Sequence, residues 1–198
     1  DIQMNCWCPS GMENMNDAFD WAISKADGGT VDTWKFYWGS WLAGRGDTTN
    51  AIRILSESTE GIARALLARL LKLKGNYTGA MNAYESITEP WIQLHPQVVI
   101  ERDIVLRKIG RETLDIREMW LNQVNALSDD GLAERKIQLM IDKGDMRGAK
   151  ELLLSHPFQK VHQTYTRMGL WFQVCDGLKE SRYPIPLNLG EDRLATFG

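Results

Sequence analysis

Few residues in this sequence stand in an arrangement that could do chemistry. Cys6-Trp7-Cys8 places two thiolates one residue apart, near enough to share one metal ion. A tetrahedral site needs two further ligands, and only Cys175 and the scattered His95, His156 and His162 are available. No second closely spaced pair exists, so ordinary thiols and no metal are expected. His95 and His156 each precede proline, and a residue before proline is held extended; both read as helix boundaries. His162, beside Gln163 and Tyr165, is left for a polar contact, but a general base needs a positioned partner and a pocket. Glu101, Arg102 and Asp103 read as a solvated or salt-bridged helix face, because paired carboxylates for acid/base work need a cleft that raises one pKa. The sequence has no phosphate-cradling Gly loop, no His-Glu-x-x-His helix and no nucleophile elbow. No catalytic residue and no cofactor are expected of this chain.

Aromatic residues offer the other candidate. Trp34, Trp38 and Trp41 stand at i, i+4 and i+7, which puts all three on one face of a helix. Such a stripe stacks on sugar rings, anchors a partner peptide or, most often, packs between helices. With Lys35, Arg69, Arg102, Arg135 and His162 it makes up the candidate lining of a binding groove. Arg45-Gly46-Asp47 matches an integrin-recognition tripeptide and Asn76-Tyr77-Thr78 a glycosylation acceptor, but both fall on a turn that a repeat explains.

That repeat positions everything else. A Gly followed by a small polar residue, with Ala five positions after the Gly, recurs at Gly46-Asp47-Ala51, Gly75-Asn76-Ala80 and Gly144-Asp145-Ala149. Gly110-Arg111, with Asp115 in the Ala place, is a degenerate copy. The four glycines lie 29, 35 and 34 residues apart, near the period of a two-helix solenoid unit. A left-handed Gly closes one helix, the polar residue starts the next, and the Ala sits where two helices cross closely. First helices are predicted at 31–45, 62–74, 98–109 and 132–143, and second helices at 48–56, 78–87, 112–126 and 147–154. A stretch at 13–25 reads as the second helix of an incomplete unit, and 161–179 as one long helix. Tyr183-Pro184-Ile185-Pro186 breaks helix.

Each hairpin buries its apolar face only against its neighbours. The expected fold is therefore all-α: a right-handed superhelix of antiparallel helical hairpins with a concave side, one repeat domain over residues 1–198. About four hairpins turn near Gly46, Gly75, Gly110 and Gly144, with partial units at both ends. The start at Asp1 and the stop after one unpaired helix are expected of a piece of a longer protein whose repeats continue.

The totals agree. The chain has 198 residues, 43% apolar and 25% charged, with a net charge of -3. Charges are interspersed, and phosphate binding needs a concentrated basic face, so nucleic acid is not an expected partner. No apolar run approaches the ~18 residues a membrane span requires, and three cysteines are too few for a disulfide framework. A cytoplasmic protein is expected.

The Gly-to-Ala spacing, Gly39 seven residues before Gly46, and Tyr84 four after Ala80 resemble the tetratricopeptide repeat signature over roughly residues 13–154. Glu101-Arg102-Asp103, Leu106, Gly110, Leu152-Leu153, His156-Pro157-Phe158, Gln163, Tyr165, Tyr183-Pro184 and Asn188-Leu189-Gly190-Glu191 resemble the helical C-terminal region of a family of unknown function. That resemblance implies a part similar to galactose mutarotases ahead of the helices, and carbohydrate handling by the whole. The expected function is a non-catalytic scaffold that binds a protein segment or another domain of its own chain. The alternative is an accessory helical region of a carbohydrate-active enzyme that contributes to a sugar site.

Overall fold

Gly46, Gly75 and Gly144 take φ of 84°, 77° and 87°, the left-handed region that only glycine enters without strain. At each, the following residue's amide donates to the carbonyl five residues back, Asp47 to Leu42 at 3.0 Å, Asn76 to Leu71 at 2.9 Å and Asp145 to Met140 at 2.9 Å. The glycine amide makes the inner bond of the same motif. The next side chain then starts a helix: Asp47 accepts from the Asn50 amide, Asn76 from Gly79 and Asp145 from Gly148, which satisfies a donor that the helix cannot. One phrase of sequence thus ends one helix and begins the next three times.

The computed structural model describes residues 14–110, 113–159 and 164–189. Eleven helices lie among them, and no strand. The chain forms two compact units, Asp1–Gln93 and Leu94–Gly198. The first holds α1 (Met15–Lys25), α2 (Val31–Gly44), α3 (Thr48–Ser56), α4 (Gly61–Leu73), α5 (Tyr77–Glu85) and the single turn α6 (Pro90–Gln93). The second holds α7 (Pro96–Ile109), α8 (Leu114–Gln123), α9 (Asp130–Lys143), α10 (Met146–Ser155) and α11 (Thr164–Leu178), followed by a 3-10 turn, Leu187–Leu189.

In the first unit α2 pairs with α3 and α4 with α5, and α3 packs on α4. Small residues set the distance between these helices: Ala51, Ala63, Ala68 and Ala80 are fully buried. Gly39 of α2 lies so close to Leu55 of α3 that an added Cβ would stand 2.4 Å from the leucine Cγ. Successive hairpins are also stapled at their edges. Asp32 at the start of α2 accepts from the amide and hydroxyl of Thr59 at 2.8 and 2.6 Å. Glu89 likewise accepts the Gly61 amide at the start of α4, at 3.0 Å.

The second unit keeps the hairpin order, α7 with α8 and α9 with α10, and α11 packs on both α9 and α10. The degenerate phrase at Gly110 departs from the expectation. Gly110 has φ 161°, extended rather than left-handed, and α8 begins later, at Leu114, after a Thr113 that makes no side-chain cap bond. The physical reason is in the sequence: Arg111 stands where the other copies carry Asp or Asn and has no oxygen to accept a helix amide. Between α11 and the 3-10 turn, residues 179–186 are not helical, as their prolines require. Ile185 and Leu189 bury themselves against Leu153, Leu170 and Trp171. Asn188 Nδ2 donates to the carbonyls of Leu153 and Leu154 at 3.1 and 3.0 Å, capping the end of α10.

Candidate functional site

In the first unit, α1, α2 and α3 enclose a groove of about 450 Å³. Trp38 lies at its floor, 8% exposed. The ring stacks on Phe19 of α1, with centroids 5.9 Å apart and planes 10° from parallel, and its Nε1 donates to Asn16 Oδ1 at 2.9 Å. At the rim, Lys35 Nζ and Arg53 Nη1 share Glu57, at 3.6 and 3.7 Å. Asp47, whose carboxylate is held by Asn50, and Asp20 of α1 also face the groove. The Asn50 side chain and amide hold the Asp47 carboxyl below its ordinary range.

The aromatic stripe therefore divides. Trp38 and Trp41 both pack on Phe19, as an interhelical core does, and Arg45 lies over the Trp41 ring at 5.2 Å. Trp34 meets Tyr37 edge-on at 6.0 Å. Arg69 is exposed on α4. The Arg45-Gly46-Asp47 tripeptide is not presented as a recognition loop, because Arg45 folds onto Trp41 and Asp47 caps α3.

The second unit carries a buried polar arrangement. Glu101, Arg102 and Asp103 are buried, so of the two readings, a solvated or a salt-bridged face, the salt-bridged one holds at Asp103. Arg117 of α8, 1% exposed, grips Asp103 through Nε and Nη2 at 2.7 and 3.4 Å and reaches Asp142 of α9 through Nη1 at 2.8 Å. Arg107 joins at Asp142, 3.0 Å away. The Arg102 guanidinium lies 3.5 Å over the Trp120 ring. Burial pushes the Asp103 carboxyl up against the pull of Arg117 and Arg135. At Asp142 burial acts in the same direction, but the bonds from Arg117 and Arg107 prevail and hold it below the usual range. Arg135, half-buried beside Asp103 and Glu134, has its guanidinium pushed down, first by burial and then by Arg107 and Arg117.

A second buried group ties α9 to α11. Arg167 Nη2 donates to Asp130 and its Nε to Glu134, both at 3.1 Å. Asp130 also accepts the Gln159 amide at 2.8 Å and contacts His156 Nε2 at 3.3 Å. His156 and Asp130 line a cleft of about 240 Å³. An imidazole beside a carboxylate resembles half of a catalytic pair, but here Asp130 also holds α11 through Arg167 and the loop after α10 through the Gln159 amide. The boundary role read for His156 holds, since it is the C-cap of α10. Its buried partner had no local signal, because Asp130 stands 26 residues away.

Of the remaining candidates, Cys6, Cys8 and His162 lie outside the described residues. Among the described residues no cluster of three or more His, Cys, Asp or Glu is placed to hold a metal. No helix there is long and apolar enough to cross a membrane.

Comparisons with known proteins agree with this geometry. Residues 1–174 match a family model described as "-like, C-terminal domain". A crystal structure of a TPR-domain containing protein from Parabacteroides distasonis ATCC 8503, at 2.26 Å resolution, is 51% identical with a TM-score of 0.85. The match covers 93% of this chain and 32% of that one, so the present chain spans about a third of that relative's length. No curated protein matches. The fold is tetratricopeptide-like.

Proposed function

The chain belongs to this family of C-terminal domains, and we propose that it works in it as a non-catalytic helical-repeat scaffold. Its first unit would present the groove between α1, α2 and α3 to a protein segment or to another part of a longer protein. The observation that carries this reading is the contrast between the two units. In the second, buried carboxylates and guanidinia are spent on one another and on holding helices together. In the first, a groove of about 450 Å³ has an indole floor and a rim of exposed polar side chains. Helical-repeat arrays bind extended or helical segments along such surfaces. The sugar-platform reading of the tryptophan stripe has less support, since one face of the Trp38 ring is already covered by Phe19.

Photocrosslinking tests the proposal. A benzoylphenylalanine placed at Arg53, on the groove rim, and another at Tyr165, exposed in the second unit, would be activated in cells that produce the full-length protein. Mass spectrometry would then identify the attached peptide. One defined peptide joined at position 53 and absent at 165 is the expected result. Equal, unspecific attachment at both positions would sink the groove as the working surface.

A further inference from the structure

We draw no further inference here: the strongest candidate, the groove between α1, α2 and α3, belongs to the site already described, its rim charges are of both signs and give no complementarity to one class of partner, and nothing in the structure shows what covers it.

Discussion

Arg117 and Asp103 face each other from α8 and α7 as a two-point ion pair, each side chain 1% exposed. A buried pair of this kind is costly to halve, because the survivor is left charged and without water. Arg117→Leu should therefore lower unfolding free energy by about 3–5 kcal/mol, measured by urea denaturation. The exposed pair Arg182–Asp176 has a similar two-point geometry, at 2.8 and 2.6 Å. Water solvates that pair, so Arg182→Leu should leave the unfolding midpoint in place. Equal losses for the two variants would show that burial does not set the strength of the Arg117 pair.

The close approach of Gly39 to Leu55 gives a second prediction. A methyl group on Gly39 meets the leucine branch point at 2.4 Å, and overpacking of this sort costs about 1–3 kcal/mol. Shortening the neighbour should relieve it, so Gly39→Ala should cost less in a Leu55→Ala background than alone. Strict additivity of the two changes in a double-mutant cycle would contradict the contact.

Glycine at two turns should respond differently. Gly75 has φ 77° with open space around a built Cβ, so Gly75→Ala pays only for the left-handed backbone, about 1–2 kcal/mol. Gly110 at φ 161° is extended, a conformation open to any residue, and Gly110→Ala should be near neutral. Thermal melts of the two variants decide the matter. A larger loss at Gly110 would mean that this turn closes as those at Gly46, Gly75 and Gly144 do.

Acid should loosen the first unit through its edge staples. The Gly61 amide, acting against burial, holds the Glu89 carboxyl below its ordinary 4.5. Burial would raise Asp32, but the hydroxyl and amide of Thr59, with Lys35 and Arg64, hold it below 3.8. A carboxylate depressed in the folded state contributes stability that is present above its unfolded pKa and lost as pH falls through the folded value. Melting temperature should fall as pH is lowered from about 5 to 2. Glu89→Gln keeps an acceptor for Gly61 but takes up no proton, so its melting temperature should vary less over that range. An unchanged slope would remove Glu89 from the acid response.

The hairpin order was legible because its signals are local. Gly, Asp or Asn and Ala within six residues specify a helix end, a cap and a close crossing, and Ala51, Ala80 and Ala149 are all fully buried. Where the phrase degenerates, at Gly110-Arg111, the hairpin still forms but without the left-handed closure and the side-chain cap. The ion networks were not legible, because Arg117 and Asp142 belong to different helices 25 residues apart and look in sequence like solvent-facing charges. The groove was half legible. Trp38 was read from helical spacing, but its contact with Phe19 depends on how α1 lies on α2. Asn16, which accepts from the indole, carried no signal at all.

Asn188 ties the 3-10 turn to α10. Its amide closes the last carbonyls of α10 from 34 and 35 residues away, where an ordinary C-cap is supplied by the adjoining residues. The final turn of α10 and the 3-10 turn should thereby open together rather than fray separately. Amides of both should exchange with deuterium at a common rate, and Asn188→Ala should release protection at the end of α10 although no residue of that helix has been changed.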